Sequence, residues 1–564
     1  MKLRNILIFS FFNLLILSAC SDMLNTESDL VEFAEENTLN HPTDSVYSVM
    51  GIVGRMQHIA DRTVILGEVR GDLVEPTDAA SADLKRLAAF DMGQQNKYNK
   101  VSDYYAVINN CNYFLANVDT TLQRRGRQLF KYEYAAVKAF RAWTYLELVK
   151  IYGQVPLVLK PLMTEREAQE AAEGPLSTIQ EVCNYFITDL TPYALTDLPS
   201  YENIDSHNPD RFFIPVRLLL GDLCLWAGRY EEAARWYNDY LNDKDHPVQQ
   251  PYQMRTYWRS VTDYQYPSSA YSVLSLSELL TYIPMESRIF DGVVSDLSNL
   301  FSSTKDNNYF FQLAPSQGMR NLSAAQIYCT EYKNDSGTQV DTVYAPRSGF
   351  TDNIYIGDLR FASNYSLMST GSQDEYSEYS SQRQVINKFN SSMVPTYRIT
   401  MVYLRYAEAL NRAGLPQSAM AILKYGLCQE NITLYVDSLE QEKAGQLIKF
   451  DDNIFTRETT IGIHSRGSGD SHCNAYYVLP QPPTPLPTRA DTVAYQIPRV
   501  EDLIINEMAL EGAFEGNRFY DLMRVALRRN DPAYLADPIS RRSGKQDAAL
   551  RALLMDPTNW YLPK

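Results

Sequence analysis

The chain has 564 residues, with 52 Lys and Arg against 68 Asp and Glu, and its net charge of −16 excludes the electrostatics of a nucleic-acid binder. No basic block offsets that charge, and the length allows a large core. The seven cysteines include no CxxC, which argues against a zinc site or a dense disulfide framework.

The first element is an apolar run from Ile6 to Leu17, preceded by Lys2 and Arg4 and followed by Ser18, Ala19 and Cys20. It is short against the ~20 apolar residues that span a bilayer. A basic start and small residues before the end fit a secretory signal, and Leu17-Ser18-Ala19-Cys20 matches the lipobox of bacterial lipoproteins. The expectation is a signal peptide over 1–19 and lipidation of Cys20, whose several acyl chains hold a protein on a membrane lastingly. Loss of Lys2 and Arg4 would take the net charge from −16 to −18. Residues 20–44 are polar and acidic and read as a tether, with one domain over 45–564.

From Ser45, Val46, Val49, Val53, Met56 and Ile59 recur at helical spacing, and a second helix follows at about 102–118. In "YAAVKAFRAWTYLELVKIYG" the polar residues Lys138, Arg141, Thr144, Glu147 and Lys150 form one narrow stripe. That predicts a helix buried on most sides and stopped at Gly153. Cys111, Cys183 and Cys224 lie in apolar helical patterns and are expected in the core.

Two stretches then repeat one spacing. Gly221, Gly228 and Ala233 stand at the same intervals as Ala407, Gly414 and Ala419. This is tetratricopeptide spacing: a small residue where helices cross, a turn glycine, then a small residue on the second helix. Tyr237 fills the aromatic position, while Arg217 and Cys224 depart from the consensus. Two units do not make a stable array, so the helices at 102–152 are expected to join repeats placed at about 100–245 and 396–430. Residues 250–395, with β-like runs such as "GFTDNIYIGDLRF", and 430–500, ending in "LPQPPTPLP", read as loop-rich excursions from this scaffold. Helix returns at about 500–530. The fold expected is mainly α.

Four segments carry a resemblance: the lipobox, "AFRAWTYLELVKIYGQVPLV", "YLRYAEALNRAG" and "NEMALEGAFEGNRFYDLMR". The last matches NExxxExxFEGxRFxDLxR through Asn506, Glu507, Glu511, Phe514, Glu515, Gly516, Arg518, Asp521 and Arg524. Met508 and Gly512 depart from the usual arginine and leucine. The chain resembles the SusD/RagB outer-membrane nutrient-binding lipoproteins of Bacteroidetes. The resemblance implies a cell-surface binder of an oligomeric nutrient, usually a glycan, that closes over a SusC-like TonB-dependent transporter, with no cofactor and no catalysis. The motif residues themselves read as scaffold: Arg518 and Asp521 are spaced to pair, and Glu515 and Arg524 to fix neighbouring helices.

Forty tyrosines, against 22 Phe and 5 Trp, suit a surface that grips polar ligands, although most are expected to pack between helices. "MRTYWRSVTDYQYPSSAY" concentrates Tyr257, Trp258, Arg259, Tyr264, Tyr266 and Tyr271. Asn96, Tyr98 and Asn99 lie between two helices, where the family often carries ligand contacts. These are the candidate ligand residues. His464, Asp470, His472 and Cys473 lack metal-ligand spacing, and their glycine- and serine-rich surroundings predict a flexible loop. No P-loop, GxSxG, HExxH or GxGxxG occurs. A peptide-binding member of the family and a surface glycosidase are the alternative readings.

Overall fold

The computed structural model describes residues 42–243 except 92 and 94, then 256–258, 267–269, 278–301, 311–334, 336–345, 357–369, 382–389, 392–457 and 460–564. The lipobox, Cys20 and most of the tether lie outside the described residues.

Three helical hairpins make the frame. Val101–Asn117 packs on Lys131–Tyr152, Val216–Trp226 on Tyr230–Leu241, and Ile399–Arg412 on Pro416–Lys424. The helix Pro42–Glu68 lies against the first hairpin, Ile179–Leu190 bridges the first and second, and Arg489–Glu511 backs the third. The helices expected to join the repeats, at 102–152, pack as the first of these pairs. A Cβ placed on Gly221 would come within 2.5 Å of the Tyr237 ring, so the missing side chain lets those two helices close. Gly228 and Gly414 turn their hairpins with φ of 73° and 83°.

The 131–152 helix is enclosed even along its polar stripe. Lys138 and Arg141 reach Asp189 on the 179–190 helix at 2.5 and 3.2 Å, and Lys150 pairs with Glu147 at 2.6 Å. Cys111, Cys183 and Cys224 are fully buried, and one hydrophobic cluster runs from Val49 to Leu562.

Strands come only as two-stranded antiparallel pairs among the described residues. Leu279–Pro284 pairs with Met393–Arg398, which ties the two ends of the first excursion together. Inside it, Tyr328–Lys333 pairs with Gln339–Ala345, and Tyr365–Ser369 with Gln382–Ile386.

Several sequence expectations need correction. In "GFTDNIYIGDLRF", Leu359 starts a helix, Leu359–Asn364, with Asp358 as its N-cap; residues 349–356 lie outside the described residues. The 430–500 region holds the helices Gln429–Tyr435 and Ser438–Ala444. The long C-terminal helix begins at Arg489, before residue 500, because Thr488 and Asp491 form a capping box, and it runs through Pro498. Helical structure also continues past 530, with Ala533–Ser540, Ala548–Leu554 and Pro557–Trp560. Trp560 is buried, and the Leu562 amide returns to the Ile151 carbonyl at 3.0 Å.

Candidate ligand-binding face

The two excursions meet over a buried ion network built by the C-terminal motif. Glu507 and Glu511 stand one turn apart on the 489–511 helix, both buried. Arg360 reaches Glu507 at 2.5 Å and Glu511 at 2.9 Å, while Arg398 and Arg466 each reach Glu511 at 3.0 Å. Burial alone would raise both carboxyls. The guanidiniums outweigh it, holding Glu507 at about 2 with help from His464 and Glu511 well below its ordinary value.

This network corrects the reading of "HSRGSGDSHC" as flexible. Arg466 is anchored on Glu511 and Glu278 at 3.0 Å each. His464 bonds Glu507 at 3.0 Å and stacks on the Tyr477 ring with centroids 3.6 Å apart. At Gly467 a Cβ would sit 2.0 Å from an Asp358 oxygen. Most of the segment is buried, so its small residues serve close packing.

The motif pairings also differ from sequence expectation. Arg518 pairs with Asp72 at 2.6 Å, and Asp521 takes Arg524 at 2.9 Å. Glu515 does join elements, binding Lys388 at 2.5 Å and Arg398 at 2.8 Å, and Arg524 binds Glu408 at 2.6 Å.

Above the network, the 328–345 hairpin lies on residues 470–476. Cys329 pairs with Tyr344 and Glu331 with Thr342 across the ladder, so these four share one face. Three of them meet the neighbouring segment. Cys329 faces Cys473, Glu331 bonds His472 at 3.2 Å, and Tyr344 meets the Tyr476 ring edge-on with centroids 5.3 Å apart. Asp470 fastens the two segments, accepting from the Thr330 hydroxyl at 3.0 Å and the Glu331 amide at 3.3 Å.

Buried Asn474 sets the direction of the tyrosines. Its amide donates to the Ile327 carbonyl at 2.7 Å and accepts from the Tyr476 amide at 2.9 Å. Tyr477 then turns inward to Glu507 at 3.2 Å, and Tyr476 turns outward, 68% exposed. The result is an exposed aromatic ring braced by a second one, on the same hairpin face as the Glu331–His472 pair. A flat apolar face beside groups that donate and accept hydrogen bonds suits a hydroxyl-rich ligand.

The candidate residues near 96 have other work. Asn96 is buried, donating to the Asp83 carbonyl and accepting from the Tyr98 amide at 3.0 Å each. Tyr98 is buried too, and Asn99 joins the Pro563 carbonyl to the Tyr152 hydroxyl. These residues hold a turn and the C-terminus. Tyr257 and Trp258 lie in the strand Thr256–Trp258, paired with Pro267–Ser269. Arg259, Tyr264, Tyr266 and Tyr271 lie outside the described residues. Tyr344 and Tyr476 were not among the candidates, although the Tyr476-Tyr477 doublet carried a signal: adjacent side chains on extended backbone point to opposite faces.

A cavity of about 80 Å³ lies in the helical frame, lined by Trp143, Asp222, Trp226, Tyr397, Arg405 and Tyr520 among others. It has room for a few waters, and Arg405 is already paired with Asp222 at 2.8 Å.

No family model and no curated protein matches the sequence. Among solved structures the chain is similar to a SusD-like carbohydrate-binding protein of Bacteroides fragilis NCTC 9343, at 16% identity over 87% of each chain, with a TM-score of 0.54. It is similar to a SusD superfamily protein of Bacteroides vulgatus ATCC 8482, at 12% identity over 92% of each chain and a TM-score of 0.54. It is also similar to B. fragilis NanU, at 15% identity over 94% of this chain and 98% of the other, with a TM-score of 0.51. Described helices dominate, strands are short, and the likeness spans almost the whole chain: the fold is that of the SusD-like proteins.

Proposed function

We propose that the protein is a cell-surface binder of oligosaccharides that captures its ligand on the Tyr344–Tyr476 face and releases it unchanged. The observation that carries this reading is the outward Tyr476 ring, 68% exposed and braced by Tyr344, on a SusD-like fold. A pyranose lays its C–H face on such a ring, while the neighbouring carboxylate and imidazole take its hydroxyls. The similar B. fragilis structure is of a carbohydrate-binding protein, which supports a glycan over a peptide. Non-catalytic binding is supported by the same likeness to a carbohydrate-binding protein and by the lack of catalytic motifs in the sequence.

Delivery completes the reading. The lipobox at Cys20 supports anchoring at the outer membrane facing the exterior, and the family resemblance supports a SusC-like TonB-dependent transporter as partner. Two proteins tethered to one membrane need only modest contacts for a lasting complex. A rigid helical frame then moves on its partner as a lid, carrying the ligand face with it. The test is a glycan and peptide array, followed by incubation of purified protein with whatever binds. Retention of oligosaccharides without cleavage supports the proposal. Retention of peptides alone, or glycan cleavage abolished by one carboxylate substitution, overturns it.

A further inference from the structure

Six cysteines lie among the described residues, and two of them meet. Cys329 and Cys473, 144 residues apart, bring their Sγ atoms to 2.9 Å. The backbones hold them there. Cys329 forms a parallel bridge with Gly469, the Asp470 amide donates to the Cys329 carbonyl at 2.6 Å, and the Cys473 amide donates to the Asp470 carbonyl at 3.1 Å. On its other side Cys329 is fixed by pairing with Tyr344. We propose that Cys329 and Cys473 form a disulfide in the exported protein, covalently joining the 328–345 hairpin to the 465–476 segment beside the exposed Tyr476 and the Tyr344 ring that braces it.

The chemistry follows from exposure. Cys329 is fully buried and Cys473 partly exposed, so Cys473 is the thiol an oxidant reaches. The oxidant class is a protein or small-molecule disulfide. The Cys473 thiolate attacks one of its sulfurs, forming a mixed disulfide and expelling the first thiolate. Cys329 then attacks the Cys473 sulfur and expels the second. The two thiol protons end on the two expelled thiols, and the oxidant disulfide is reduced as the protein pair is oxidised.

The competing occupant of Cys473 is a metal ion. Ligand atoms of Glu331, His472 and Cys473 lie within 4.8 Å of one another. Cys329 falls outside that set, and two thiolates on one tetrahedral zinc stand roughly 3.8 Å apart, wider than this contact. The paired backbones favour the disulfide, which does not depend on what the tyrosines bind.

The test uses full-length protein from the membranes of its native cells, acid-quenched, denatured and alkylated without reductant, then weighed intact and mapped by peptide mass. Setting aside Cys20, four of the six cysteines are expected to react, with the Cys329 and Cys473 peptides joined and the chain lighter by two hydrogen atoms. After reduction all six react. Cys473→Ser is expected to free Cys329 and raise the unreduced count to five. Six reactive thiols without reductant overturn the proposal. So does one zinc per native chain with Cys473 alkylated in the folded protein only after chelation, which assigns the thiol to a metal instead.

Discussion

Glu68 shows how one residue's environment decides its chemistry. It is fully buried at the end of the 42–68 helix; one oxygen accepts from the Gly516 amide at 2.8 Å and the other has no partner. Burial pushes its carboxyl from 4.5 up to about 7. A raised carboxyl favours the fold while protonated, so its contribution is full below 4.5 and lost as pH rises through about 7. The size is on the order of 3 kcal/mol. Glu507 and Glu408 act oppositely: held at about 2, they contribute above 4.5 and lose that as pH falls through about 2. Glu68→Gln should shrink the loss of stability between about pH 5 and about pH 8 in urea unfolding. An unchanged loss would show that Glu68 ionises normally. None of this was legible in sequence, because Glu68 meets Gly516 from 448 positions away. Arg518 makes the same point: its local spacing suggested Asp521, and its actual partner is Asp72. Charge pairing in a core follows geometry that helical spacing cannot report.

Elements whose signal is local were the legible ones. The turn glycines Gly228 and Gly414, the periodicity of the 42–68 helix and the buried 131–152 helix all appear where the sequence puts them. Pro498 hid the first turns of the 489–511 helix, although the Thr488–Asp491 box was there to read. The 464–473 segment looked flexible by composition because its anchors, Glu507 and Glu511, belong to a distant helix. Contacts between elements were equally hidden. Gly516, at φ 89°, lies so close to the 42–68 helix that a Cβ would stand 2.2 Å from the Thr63 carbonyl oxygen. Gly516→Ala should therefore cost about 2–4 kcal/mol through backbone strain and separation of these elements. Gly51, exposed on the same helix with open space around it, is the control: Gly51→Ala should gain up to ~1 kcal/mol. Urea unfolding measures both, and a Gly516→Ala protein as stable as wild type would contradict the packing argument.

For the whole molecule, the frame and its place in a fold family were readable from the repeat spacing and the C-terminal motif, while the face proposed for the ligand was not. The candidates at Asn96 and Tyr98 followed composition between helices, and the structure shows them buried and bonded within a turn. The proposed face needs two excursions, joined through Asp470 and Asn474. Anchoring belongs to this scale too. Cys20→Ala should move the protein from the membrane fraction to the soluble fraction or leave it uncleaved, and surface labelling at wild-type levels would sink the anchor. The central claim is tested most directly by calorimetric titration of wild type and Tyr476→Ala with the oligosaccharide that an array selects. Loss of one exposed stacking ring should weaken binding about tenfold or more, roughly 1.4 kcal/mol, with the melting temperature unchanged. Equal affinities for the two proteins would contradict the account and place the ligand elsewhere on the molecule.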